Sequence, residues 1–398
     1  VSTHQVSERH AGIRRAAPLL AAKAISVTGD GALTVAVPLL AASLTSDPFT
    51  LSVVSAAVLL PWLMFGLPAG ALADRWSRRR TMIVADLARA AILVALVILL
   101  LTGQAGIGVL VVAVLAIGIG TCLFDAAAQG AIPVLVGRDK AVLTHVNGRF
   151  AAYDTIGRSF AGPALGSAGF ALGRSLPFAA DALSFLASAY FVRKLPELHI
   201  QRPRTSIAAD IREGLRFVTG HRDVRFLIVA ACVNNSAFVC AFATFVLYAT
   251  EVLRVPPAWY GILIAASAAG ALAAEWWVEP LTRRLSHWHA LALSCAGQAI
   301  AWAGIALGGN VWLTAALLAL FGATSGIGAV ALMSARQEAT PDELLGRVTS
   351  VFRIAGTGIT ALAALLGGAL ATAYGLTTPM YAAAAALALL AALIRLRR

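Results

Sequence analysis

The sequence predicts an all-α integral membrane protein with twelve transmembrane helices in two six-helix halves. Three observations carry that expectation: a composition too apolar for water, twelve apolar runs of spanning length, and one long polar stretch that divides them evenly. Hydrophobic residues make up 59% of the 398 residues and charged residues 13%, where soluble domains average about 45–50% and about 25%. Mean hydropathy is +0.82. A soluble fold with so few charges could not solvate the apolar surface left outside its core. Secreted, disordered and nucleic-acid-binding classes fail on the same ground, although the net charge is +12.

A hydrocarbon layer about 30 Å thick needs roughly 20 apolar residues per helix. On that measure the spans fall at 16–42, 50–72, 81–102, 106–131, 143–170, 176–194, 225–249, 258–280, 288–308, 311–334, 348–373 and 377–395. Helices are the expected form because they satisfy their own backbone groups in lipid. The first run follows Arg14 and Arg15, as in a signal peptide. It continues beyond signal length and carries Asp30, so it reads as a span retained in the mature protein. Asp47-Pro48, Gly103 to Gly106, Pro256-Pro257, Gly308 to Asn310 and Thr377 to Pro379 mark the joints.

Orientation follows from the basic residues. Loops on one side hold Arg75, Arg78, Arg79, Arg80, Arg138, Lys140, Arg193, Lys194, Arg283, Arg284, Arg336 and Arg347, and opposite loops hold only Arg174 and Arg254. Both termini are therefore expected in the cytoplasm, with the chain multi-pass in the cell membrane. The positive balance reads as topology, not as a sign of an acidic partner. Cys122, Cys232, Cys240 and Cys295 lie inside apolar runs with no CxxC spacing, so neither metal nor cofactor is expected.

The polar stretch defines three parts: an N-terminal half (1–194), a cytoplasmic linker (195–224) and a C-terminal half (225–398). Within the linker Ile207, Ile211, Leu215 and Val218 recur at amphipathic-helix spacing, which fits either a helix on the membrane surface or a plain covalent link. A shift of 208 residues places Arg75 on Arg283, Gln129 on Gln337 and Pro133 on Pro341. Duplicated halves point to a transporter with its site between them, near mid-membrane.

Residues 70–82, between spans 2 and 3, read G-A-L-A-D-R-W-S-R-R-R-T-M. Gly70 permits close helix approach, and Asp74 is a carboxylate suited to the positive end of a neighbouring helix. A generic positive-inside loop would explain Arg75 and Arg78 but not these two residues. The segment resembles the signature loop of the major facilitator superfamily, G-x-L-a-D-r-x-G-r-k-x-x-l, with Ser77 in place of the second glycine. Phe124-Asp125, Ile132-Pro133, residues 181–185 and Pro341 to Arg347 are similar to the branch containing the enterobactin exporter and macrolide-efflux proteins. The resemblance implies that Asp74 meets span 11, that Arg78 pairs with Asp125 on span 4, and that these contacts close the cytoplasmic side of one transport state.

Span 5 carries Gly148, Gly157, Gly162-Pro163 and Gly166, which resemble the Gly-Pro motif of antiporters. Pro163 crowds the carbonyl of Ser159 and should bend the helix. The alternative is ordinary small-residue packing between membrane helices. Ionisable groups in lipid are costly and face the bundle interior. Asp30 lies about 21 Å along span 1, at mid-membrane. It is either a carboxylate that alternates between proton and substrate or a structural link between helices. Asp154 and Arg158, four residues apart, form either a titrating switch or a static pair. Asp86 and Arg89 read as a local structural pair, Asp181 as an anchor at a helix end, and Asn234 and Asn235 as polar lining of a cavity.

The expected function is secondary active transport: proton-coupled export of small hydrophobic or amphipathic compounds (drugs, antibiotics or siderophores) by alternating access, as a monomer. A facilitator or importer of a small metabolite fits the same residues. An enzyme lacks clustered ligands or nucleophiles here, no GxxxxGK[ST] loop supports ATP-driven pumping, and a sensor lacks an output domain.

Overall fold

A computed structural model describes residues 3–65, 76–137, 139–197, 207–341 and 344–397; the side chains of 3–12, 140, 207–211, 214 and 275–284 lie outside that description. The first half contains α1 (Thr3–Leu44), α2 (Pro48–Phe65), α3 (Arg78–Leu101), α4 (Ile107–Val136), α5 (Lys140–Ile156), a π turn (Gly157–Ala161), α6 (Gly162–Leu172) and α7 (Leu176–Arg193). Then come α8 (Ile207–Gly220) in the linker, α9 (Arg222–Phe242), the short α10 (Phe245–Leu247) with a second π turn (Tyr248–Val252), and α11 (Pro257–Arg284). The chain ends with α12 (His287–Leu307), α13 (Val311–Glu338), α14 (Leu345–Gly358), α15 (Thr360–Tyr374) and α16 (Thr378–Leu396).

Local chemistry explains the boundaries. Asp139 starts α5 by accepting from the amide of Ala141 at 2.8 Å, and Asn310 starts α13 by accepting from Trp312 at 2.8 Å. Gly137 (φ 75°) ends α4 and Gly375 (φ 98°) ends α15 in the left-handed region that side chains avoid. The bend expected at Pro163 is a π turn. Gly162 donates to the carbonyl of Gly157, five residues back, immediately before the residue that has no N–H to give.

Among the described residues ten helical runs are long and apolar enough to cross a membrane. The other two expected spans, 143–170 and 176–194, are also helical, as α5–π–α6 and α7. They are diluted by Asp154 and Arg158 in one and by Asp181 and Arg193 in the other.

The chain divides into two compact units: Val1–Leu44, Leu60–Arg202 and Pro257–Gly261 in the first, and Thr45–Leu59, Pro203–Pro256 and Ile262–Arg398 in the second. In the first unit α1 packs on α4, α5, α6 and α7, with a core of Leu19, Met82, Phe124, Ala128 and Val192. Here the amide of Gly261 donates to the hydroxyl of Ser167 at 2.6 Å. In the second unit α12 packs on α13 and α16, and α9 on α14, α15 and α16, with a core of Leu227, Cys295, Ala331, Phe352 and Leu390. The Tyr248 hydroxyl lies 2.7 Å from the carbonyl of Ile305 and 2.5 Å from that of Gly308. The linker helix α8 packs on α14, where Arg347 Nη1 meets Glu213 at 2.6 Å.

Candidate functional site

The charged groups of the first unit gather around α1, and glycine lets them do so. Gly157, Gly162 and Gly166 lie along the stripe where α5, the π turn and α6 meet α1. A methyl at Gly157 would come within 2.7 Å of Val27 Cγ1, and one at Gly162 within 2.5 Å of Gly31 Cα. At Gly166 it would overlap the carbonyl of Ala32, and at Gly31 the carbonyl of Gly157. Backbone therefore lies on backbone across this seam, as small residues permit in membranes. Side chains that leave the helices beside the seam are brought together.

Asp30 is one of these. Its Oδ1 lies 3.8 Å from Arg89 Nη1 of α3, and its Oδ2 lies 3.8 Å from Arg158 Nη2 of the π turn. Both distances exceed hydrogen-bond length, so the carboxylate is held between two guanidiniums by charge. Arg89 is 1% exposed and Arg158 35%. The pair thus gives Asp30 one fixed, buried counter-charge and one more open counter-charge.

Arg89 is fixed by many contacts. It bonds Asp86, donates to Thr121 Oγ1 at 3.2 Å, and lies 4.0 Å from the Phe185 ring centroid and 5.0 Å from that of Phe124. Asp86 is fully buried. The Asp86–Arg89 pair expected to be merely local thus reaches across to Asp30, because the long Arg89 side chain extends past Phe124 of α4 and Phe185 of α7, the two helices α3 packs on, to α1. Asp181 does not anchor a helix end. It is buried against Gly29 of α1, where any side chain would displace its carboxylate, and Ser184 donates to it at 2.7 Å. Asp86 Oδ2, Asp181 Oδ2 and Arg89 Nε have no hydrogen-bond partner among the described residues.

Towards the N-terminal end of α1, Lys23 forms a second centre. Its Nζ lies 3.2 Å from Asp125 of α4 and 2.9 Å from Asp154 of α5, and 5.0 Å from the Phe150 ring centroid. The Lys23 side chain is 4% exposed, Asp125 15% and Asp154 39%. Arg158 Nε reaches Asp154 at 3.5 Å and so joins the two centres. The expected Arg78–Asp125 pair is replaced. Asp125 takes Lys23, while Arg78 donates to the carbonyl of Gly130 one turn further along α4.

A family model described as transmembrane secretion effector, a major facilitator group, matches residues 14–398. The chain belongs to that family. It is 29% identical over 360 residues, 87% of each chain, to "Multidrug efflux pump Tap" of Mycolicibacterium fortuitum. Among solved structures it superposes on the nucleoside transporter NupG with TM-score 0.79 at 11% identity, covering 96% of this chain and 99% of that one. A bacterial homologue of the iron transporter ferroportin also matches with TM-score 0.79, at 18% identity, with 96% and 98% covered. These two likenesses establish the major facilitator fold and no more.

For a transmembrane secretion effector the most informative residue that sequence reading passed over is Lys23. One signal was available, since a lysine inside an apolar span demands partners. Its two partners lie 102 and 131 residues away, so no local spacing discloses them. Of the remaining expected residues, Gly70, Asp74 and Arg75 lie outside the described residues. Asn234 is half-buried and Asn235 exposed on α9 of the second unit, with the Asn235 amide 3.1 Å from where a methyl at Gly356 would stand. Among the described residues no group of three or more His, Cys, Asp or Glu is arranged to hold a metal ion.

Proposed function

We propose that this transporter is a proton-coupled exporter of small hydrophobic or amphipathic compounds, of the drug, antibiotic or siderophore class. It works by alternating access across the cell membrane, as a monomer with both termini in the cytoplasm. The observation that carries this reading is Asp30, a mid-membrane carboxylate flanked at 3.8 Å by one buried and one partly open guanidinium. An ionised acid there is attracted to both cations. A protonated one releases Arg158 and leaves Arg89 to Asp86. Proton binding therefore changes which helices are tied together, which is what coupling requires.

Asp154 and Arg158 belong to the same coupling region, and Asn234 and Asn235 to the substrate cavity. Gly70, Asp74, Arg75 and Arg78 form the loop that switches with the cycle. Export rather than uptake is favoured by the likeness to a multidrug efflux pump and by the resemblance of Gly148, Gly157, Gly162-Pro163 and Gly166 to the Gly-Pro motif of antiporters.

The test uses energised everted vesicles with a pH-sensitive dye and a panel of lipophilic cations, macrolides and siderophores. Compound-triggered proton release in the wild type but not in Asp30→Asn supports the reading. Normal release in Asp30→Asn removes Asp30 from coupling. Compound movement without any proton release in the wild type makes the protein a facilitator.

A further inference from the structure

Five carboxylates of the first unit, Asp30, Asp86, Asp125, Asp154 and Asp181, share three cations, Lys23, Arg89 and Arg158, so the fully ionised network carries −2 among the described residues. The ion pairs show where the deficit falls. Asp154 has Lys23 at 2.9 Å and Arg158 at 3.5 Å, and Asp125 has Lys23 at 3.2 Å. Asp86 bonds Arg89 directly, and Asp30 lies 3.8 Å from both Arg89 and Arg158. Asp181 alone of the five has no cationic nitrogen within 4.0 Å among the described residues. It is 1% exposed, so water does not stand in for a cation. Ser184 donates to its Oδ1 at 2.7 Å, and its Oδ2 has no partner among the described residues. A buried carboxyl without a counter-charge stays neutral by keeping its proton. We propose that Asp181 is a resident proton site of the network, its carboxyl neutral in this state with the O–H on Oδ2.

The surroundings of Asp181 offer no other remedy. Among the described residues the ionisable groups that face it are Asp30 from α1 and Asp86 and Arg89 from α3; α6, which also packs on α7, carries none. An ionised Asp181 would therefore meet two like charges and one guanidinium. The terminal nitrogens of that guanidinium already face Asp86, Thr121 and Asp30. Its Nε is buried without a partner, so it does not bond the Asp181 carboxyl either. The carboxyl fills the space that Gly29 leaves open: a methyl there would stand 2.8 Å from the Asp181 Cγ and 2.6 Å from Ser184 Oγ. It is thus held against the backbone of the residue before Asp30. A neutral O–H without an acceptor costs less there than a bare carboxylate.

The consequence for coupling rests on the reading of Asp30 as the coupling acid; the proton on Asp181 does not. With Asp181 neutral, Arg89 is divided between Asp86 and Asp30 only, and Arg158 between Asp154 and Asp30. One further proton then makes the network neutral. Asp30 gains and loses that proton while Asp181 keeps its own, so the cycle carries one proton although two are bound when the network is neutral.

Infrared spectroscopy of the purified protein in liposomes at neutral pH detects protonated buried carboxyls without any transport substrate. The expected spectrum has a carboxylic-acid band that persists in Asp30→Asn and is lost in Asp181→Asn. The same band should move to higher frequency in Ser184→Ala, because its carbonyl oxygen loses the hydroxyl that donates to it. An Asp181 that merely packs against Gly29 as a carboxylate gives no such band. A wild-type spectrum without an acid band overturns the proposal, as does loss of every acid band in Asp30→Asn. A spectrum in which Asp181→Asn loses no acid band overturns it too, and loss of the band in Asp86→Asn instead would place the proton on Asp86. If Asp181→Asn does not fold, persistence of the band in Asp30→Asn and its shift in Ser184→Ala still decide. The Asp30 reading fails separately: normal compound-triggered proton release in Asp30→Asn removes it and leaves the Asp181 band in place.

Discussion

Replacing Gly166 by alanine separates close helix packing from helix propensity. At this position an added methyl overlaps the carbonyl oxygen of Ala32 and comes within 2.8 Å of its Cα. Ordinary contact for a Cβ begins at 3.4 Å, and the carbonyl oxygen is nearer still than the Cα, so α1 and α6 must part by about 1 Å. The movement cannot stay local, because Gly157 and Gly162 hold α1 just as closely along the same seam. Overpacking of this kind costs about 1–3 kcal/mol. Gly148 is the internal control. It lies on α5 of the same helical run, is exposed, and has nothing within 4 Å of a built methyl. Alanine there removes only glycine's helix penalty, about 1 kcal/mol in favour of folding. Thermal unfolding in detergent, followed by size exclusion, should place Gly148→Ala at or above wild type and Gly166→Ala a few degrees below. Coupled transport should fall in Gly166→Ala, because Asp30 and Arg158 move apart with their helices. A wild-type midpoint in Gly166→Ala, or a fall in Gly148→Ala, would refute the argument.

Three further outcomes follow from the same structure. Lys23→Met should cost about 3–5 kcal/mol by leaving the buried Asp125 without its cation and Asp154 with Arg158 alone, and adding Asp125→Asn should recover part of it; unfolding midpoints of the double-mutant cycle measure both. Tyr248→Phe should cost about 1 kcal/mol, read from the same midpoints, because the carbonyls of Ile305 and Gly308 lose a buried hydroxyl. Asp47, outside the spans, accepts from the hydroxyl of Thr50 at 2.5 Å and its amide at 2.8 Å, and these bonds hold its carboxyl below the usual carboxylate range. A lowered acid stabilises the fold above its unfolded value of about 3.9 and loses that contribution as pH falls through its folded value. Asp47→Ala should therefore lower the thermal midpoint at neutral pH and lose less than wild type on acidification below about pH 4.

Much of this molecule is local and was legible without coordinates. The spans are runs of apolar residues, their joints are Gly, Pro, Asp and Asn, and the Gly-Pro motif of span 5 foretells a disturbed helix at Pro163. Asp30, Asp154 and Arg158 announced themselves because a charge inside an apolar run is conspicuous. Partnership is another matter. A carboxylate in a span demands a counter-charge, but sequence does not say which helix supplies it. Asp125 appeared destined for Arg78 and is held by Lys23; Arg89 appeared confined to Asp86 and extends to Asp30; Asp181 appeared to end a helix and is buried against Gly29. The physical reason is range. Helix periodicity and lipid solvation act over a few residues, whereas buried ion pairs depend on how glycine seams bring distant helices to within a few ångströms. Sequence alone therefore determined that the chain spans the membrane and where it turns, and it marked most of the charges that lie inside the spans; tertiary packing alone decided which of them are buried and which charge answers which.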